Sequence, residues 1–106
     1  MPSRAPLDLV YRRTATRDLD ELFDYIALDR PLAAERLLLD IRRACEGLRW
    51  FPFIGRRLDP SDDRVRVLTV RGCVAVKFMV TDGAVQIMRV TYRGRNLTVF
   101  FGGSSQ

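Results

Sequence analysis

A chain of 106 residues, 47% of them apolar and 29% charged, has room for one modest core and not for two domains. It contains no histidine, which excludes imidazole acid–base pairs, serine–histidine triads and histidine-bound metals. The net charge of +5 is unevenly spread: residues 1–55 hold nine arginines and nine carboxylates, whereas residues 56–95 hold eight arginines and Lys77 against four aspartates.

In chain order, Leu7 to Arg13 alternate well enough for a short first strand, with Leu7, Leu9 and Tyr11 on one side. Thr14 or Thr16 is placed to cap a helix in which Leu19, Leu22, Phe23 and Ile26 recur at helical spacing. Asp18, Asp20 and Glu21 fall in its first turns, where the helix dipole favours negative charge. Asp29-Arg30-Pro31 ends this helix, and Pro31 suits the first position of a second one. There Ala34, Leu38, Ile41, Cys45 and Leu48 repeat at steps of four and three, the spacing of a seam against a neighbouring helix, with Leu37 and Ala44 widening it toward a sheet. So short a connection predicts an antiparallel helix hairpin.

Residues 50–63 hold two prolines and a glycine with no usable period, and read as a loop in which Trp50 and Phe51 plug the core beneath the helix end. From Arg64 the period becomes two, and three strands are expected at roughly 64–71, 73–81 and 84–92, with Gly72 in the first turn and Asp82-Gly83 as a two-residue hairpin loop. An uninterrupted register about that loop sets Val80 opposite Val85 and Phe78 opposite Ile87. It then puts Val74, Val76, Phe78, Val80, Val85 and Ile87 on the face covered by the helices. Cys73, Ala75, Lys77, Met79, Gln86, Met88, Val90 and Tyr92 fall on the other. This second face is amphipathic and is left for the tail Leu97-Thr98-Val99-Phe100-Phe101 or for a partner to cover. Arg89 falls on the helix side, where a helix-1 acid such as Asp24 and a bound partner compete for it. Arg93 and Arg95 lie beyond the strand, in solvent.

The apolar runs are far shorter than the roughly 20 residues that span a bilayer, and Met1 to Pro6 show no apolar signal core, so a cytoplasmic location without membrane contact is expected. Cys45 and Cys73 are isolated and read as small apolar residues, neither a disulfide framework nor a zinc site. The basic second half favours an anionic partner, either nucleic acid or an acidic polypeptide, although a solvated arginine-rich surface has the same composition.

The order strand, helix hairpin and antiparallel meander, closed by arginines, resembles the ParE branch of the RelE/ParE toxin superfamily. The resemblance rests on Ala15 to Ile26, on Ala33-Ala34 opening the second helix, on Leu48 through Pro52 to Gly55, and on Ile87-Met88-Arg89-Val90-Thr91-Tyr92-Arg93-Gly94-Arg95. It covers residues 7–96 of a single domain 1–106, leaving 97–106 as a tail. It implies an α+β fold and a toxin of a bacterial type II toxin–antitoxin pair, neutralised by an acidic ParD-like antitoxin and needing no cofactor or metal. ParE-like members poison DNA gyrase, whereas RelE-like members cut messenger RNA on the ribosome. No sequence-specific DNA contact is expected. The expected partner-binding residues are Lys77, Met79, Met88, Arg89, Val90, Tyr92, Arg93 and Arg95. Under the gyrase reading there are no catalytic residues. Under the ribonuclease reading Arg56, Arg57, Arg89, Tyr92 and Arg93 are the candidates: arginines can stabilise a phosphorane and Tyr92 can donate a proton, but arginine is a poor base. A relative that still binds its antitoxin and has lost its toxicity is the third reading.

Overall fold

The computed structural model describes residues 5–93; Arg95 and the tail lie outside them. The elements are β1 (Asp8–Tyr11), α1 (Arg13–Ala27), α2 (Pro31–Gly47), β2 (Arg56–Asp59), β3 (Asp62–Val70), β4 (Val74–Thr81) and β5 (Ala84–Tyr92). The fold is α+β, as the alternation of periods implies. One five-stranded sheet runs in the order β1-β5-β4-β3-β2; β2 to β5 form an antiparallel meander, and β1 returns parallel to β5 at the edge. Parallel pairing needs a crossover, which the two helices supply.

The helices pack on one face because their apolar stripes and that of the sheet have nowhere else to go. Ala15, Leu19 and Leu22 of α1 and Leu37, Ile41 and Cys45 of α2, with Leu48 just past it, close over Val70, Val74, Val76, Phe78, Val80, Val85, Ile87 and Val90. Leu37, not Leu38, is the buried member of its helical turn; Leu38 lines the groove between the helices with Leu19 and Phe23. Pro31 occupies the start of α2, as expected. The N-cap of α1 is Arg12, with no side-chain cap. Thr14 instead donates to the Met88 carbonyl at 2.7 Å.

Three expectations need correction. The stretch expected to be a loop contains a strand: β2 pairs with β3 through Arg56↔Val67 and Arg57↔Arg66. Four residues closing on a Pro60-Ser61 turn are too few to show a period of two, and the pairing is made by β3, which the chain reaches only afterwards. Trp50 and Phe51 do not plug the core: they are 51% and 66% exposed, and Pro52 is the residue of that segment turned inward.

The third correction concerns β5. Val80↔Val85 and Phe78↔Ile87 pair as expected, but a β-bulge follows, after which Lys77 faces Arg89, Val76 faces Val90 and Val74 faces Tyr92. One extra residue on β5 shifts everything beyond it by one position. Val90 and Tyr92 therefore move from the open face to the helix side, where Val90 is 4% exposed and Tyr92 packs against the core. The hairpin at Asp82-Gly83 is the two-residue loop foreseen, although only Gly83 takes a positive φ.

Candidate functional site

The face of the sheet away from the helices is amphipathic, as the alternation along β4 sets it. Its register builds rows across the strands. Arg56, Val67, Lys77 and Arg89 form one row, and Val65, Met79, Gln86 and Val10 the next. Met88, unpaired between Ile87 and Arg89, is the bulge residue itself. Lys77 and Arg56 flank Val67 two strand spacings apart, about 10 Å. Among the described residues neither has an acidic partner, whereas Arg57, Arg64, Arg71 and Arg89 each have one. This row is thus the least compensated positive feature of the sheet. Arg12 reaches the same face, its Nε donating to Gln86 Oε1 at 2.9 Å.

Arg89 does not project freely from this face. It lies just past the end of β1, where β5 has no neighbouring strand, and there α1 supplies a carboxylate. Arg89 Nε and Nη2 donate to Asp18 at 2.8 and 3.1 Å, and the Val90 N–H donates to the same carboxylate at 2.9 Å. The acid is Asp18, not Asp24, because the bulge places Arg89 beside the first turns of α1. Hydrogen bonding to Asp18 raises the Arg89 pKa further above its ordinary value, so the guanidinium stays charged.

The remaining candidates are elsewhere. Arg57 pairs with Asp63 at 2.7 Å. Tyr92 meets the Tyr25 ring edge-on, with centroids 6.1 Å apart. Arg93 is fixed at the strand end, its N–H donating to the Cys73 carbonyl at 2.6 Å and its Nη1 to the Gly72 carbonyl at 3.4 Å. Arg56 on β2 and Arg89 on β5 are three strand spacings apart, about 14 Å. The structure therefore brings Lys77, Met79, Met88, Arg56 and the Asp18-bound Arg89 onto one face, turns Arg57 and Tyr92 to the helix side, and leaves Arg93 at the end of β5.

Two buried groups are chemically quiet. Burial pushes the Cys45 thiol up to about 11, with the Tyr11 hydroxyl and the Arg42 charge opposing the rise only in part. Burial, with the neighbouring Cys45, also raises the Tyr11 phenol, so neither is poised for proton transfer or nucleophilic attack near neutral pH. Among the described residues, no three cysteine, aspartate or glutamate side chains are grouped so as to hold a metal ion. No helix of the described residues is long and apolar enough to cross a membrane.

Two features escaped the sequence reading. Asp18 looked like one of several dipole-favoured acids, and nothing local distinguishes it from Asp20. The other is the exposed run of Trp50, Phe51, Phe53 and Ile54, of which residue type suggests Trp50 and Phe51 for the core; Pro52 in its middle is the residue that turns inward.

Residues 9–97 match the family described as ParE toxin of type II toxin-antitoxin system, parDE. The chain is 32% identical over 87 residues to the toxin RelE2 of Caulobacter vibrioides, covering 82% of this chain and 96% of that relative. Its fold is similar to a chain of the chromosomal ParDE TA system from P. aeruginosa, with TM-score 0.69 and 25% identity over 81% of this chain and 95% of that one. It is also similar to a chain of the toxin–antitoxin complex RelBE2 from Mycobacterium tuberculosis, with TM-score 0.63 and 23% identity over 90% of this chain and all of that one. The family match takes in both helices and every strand but for Asp8 at the start of β1, and the chain belongs to the ParE toxin family of type II toxin–antitoxin systems.

Proposed function

We propose that this single-domain toxin acts in the cytoplasm by inhibiting DNA gyrase through binding, without catalytic residues of its own, and is neutralised by an acidic antitoxin laid over the open sheet face. The observation that carries this reading is the scatter of the would-be nuclease residues. Cleavage by a 2′-hydroxyl needs a proton acceptor, a phosphorane stabiliser and a proton donor around one phosphate. Here Tyr92 is turned toward Tyr25, Arg89 is held by the Asp18 carboxylate, Arg57 is on the helix side of β2, and Arg56 is across the sheet from Arg89. The open face offers cations and apolar groups with no carboxylate in its central rows, which suits recognition of an acidic polypeptide. Solved ParDE and RelBE2 assemblies with this fold support an antitoxin as partner. The likeness to RelE2 favours the second reading, a ribosome-dependent ribonuclease.

Expression of the chain without its antitoxin separates the readings. Growth arrest with gyrase-linked DNA breaks is the expected result. Arrest with messenger RNA cut inside codons would establish the ribonuclease, and no arrest would establish a relative that has lost toxicity. Arg93→Ala and Tyr92→Phe should lower toxicity; if both leave it unchanged, the end of β5 is not part of the toxic surface.

A further inference from the structure

The helix hairpin covers only part of its side of the sheet. α1 packs on β5, while α2 barely reaches β3, so the β2–β3 end is left to the segment between α2 and β2. Pro52 anchors that segment inward. Trp50, Phe51, Phe53 and Ile54 face outward, 51%, 66%, 55% and 45% exposed. Three aromatic rings within four residues, each more than half exposed, are unusual on a small chain, where isolated exposed apolar residues are the norm.

The charges beside them are specific. Arg57 and Arg66 face each other directly across β2 and β3, and like charges in that position repel. Among the described residues Arg66 has no carboxylate partner; it donates to the Asp63 and Gly55 carbonyls at 3.1 and 3.3 Å, and its guanidinium lies over the Phe53 ring, 5.2 Å from the centroid. Arg57 is held by Asp63 in an exposed ion pair with side chains 46% and 66% accessible, a pair that contributes little and opens readily to a competing anion. A guanidinium lying over the Phe53 ring, with a second facing it on β2 and two further exposed rings in the same short segment, is what a sugar–phosphate backbone with unstacked bases requires: phosphate between the arginines, bases on the rings.

We infer that the Trp50–Ile54 shelf with Arg57 and Arg66 is a sequence-independent binding site for single-stranded nucleic acid. It lies on the helix side of the sheet, so it is separate from the open face assigned to the antitoxin. An acidic peptide would answer the guanidiniums and leave the ring faces to whatever side chains followed. A flat anionic bilayer would be met as well by Asp59, Asp62 and Asp63 in the adjoining turn, whereas a single strand can thread past them.

Trp50 is the only tryptophan, so its fluorescence reports on the shelf directly. The full chain is titrated with a ten-nucleotide oligothymidylate. Saturable quenching is expected, with log affinity falling against log salt at a slope of about −1.4, the value for two phosphates on a single strand. Phe53→Ala and Arg66→Gln, both at accessible positions and checked for folding by circular dichroism, should each weaken binding about tenfold. Arg36→Ala, which removes one exposed charge from α2, should leave it unchanged. Absence of quenching overturns the inference. So does equal binding of polyglutamate or of a duplex of the same length, which would show a charge effect without stacking, and so does a response to phosphatidylglycerol vesicles but not to the oligonucleotide. None of these outcomes bears on the gyrase test, which reads DNA breaks in cells.

Discussion

The Asp18 carboxylate accepts two hydrogen bonds from the Arg89 guanidinium and one from the Val90 N–H, and so closes the part of the β5 edge that β1 is too short to reach. Its side chain is 11% exposed and that of Arg89 33%, so the pair is better shielded than the other ion pairs of the sheet. Asp18→Ala should destabilise the fold by about 2 kcal/mol, because it orphans a backbone donor as well as a guanidinium; Asp18→Asn, which keeps an acceptor, should cost roughly half as much. The urea midpoint at unchanged m-value is the measurement, and a loss from Asp18→Ala below about 0.5 kcal/mol, the range of a plain surface substitution, would show that the contact is incidental. That an acid of α1 would meet Arg89 was legible beforehand; which acid, and its bond to the Val90 N–H, was not. A carboxylate in the first turns of a helix is ordinary, and only the bulge in a strand some 70 residues later brings Arg89 to it.

At the scale of elements, the helices and the β4–β5 hairpin follow from local chemistry: Pro31 and the apolar steps of α2, Gly83 at the hairpin, strict alternation from Val74 to Val80. β2 does not, since its four residues owe their conformation to β3. Gly55 shows how tightly that pairing is held. It has φ +89°, and a Cβ there would lie 2.5 Å from the Val67 carbonyl oxygen, which is backbone and cannot swing away. Gly55→Ala should therefore cost about 2 kcal/mol or more through combined strain and overlap. Hydrogen exchange at the amides of β2 and β3 should rise with it, while β4 and β5 stay protected. Uniform loss of protection would mean that β2 is no separate unit of stability, and no loss at all would mean that the backbone simply moves aside.

On the scale of the whole molecule, the fold sorts charge onto surfaces. Four of the nine cations that the sequence places in its second half are met by carboxylates, Arg57 by Asp63, Arg64 by Asp62, Arg71 by Asp40 and Arg89 by Asp18. What is left on the open face is the Arg56–Val67–Lys77 row. If an acidic antitoxin covers this face, Lys77→Glu should weaken its binding at least tenfold at low salt and by less at high salt, since partial exposure leaves the charges open to screening. Calorimetric titration with the cognate antitoxin would check this. Equal affinity for both forms would move the antitoxin to another surface.

The sequence by itself determined the α+β class, both helices, the central hairpin, the helix-facing apolar set as far as Ile87 and the family, because periodicity, prolines and turn residues act over a few positions. Only the tertiary structure decided that Val90 and Tyr92 turn inward, that Asp18 holds Arg89, that Arg56 joins Lys77 and that the aromatics after α2 face solvent. A bulge, an edge strand and the reach of a helix over a sheet depend on residues far apart in the chain, and one inserted position reverses the facing of everything after it.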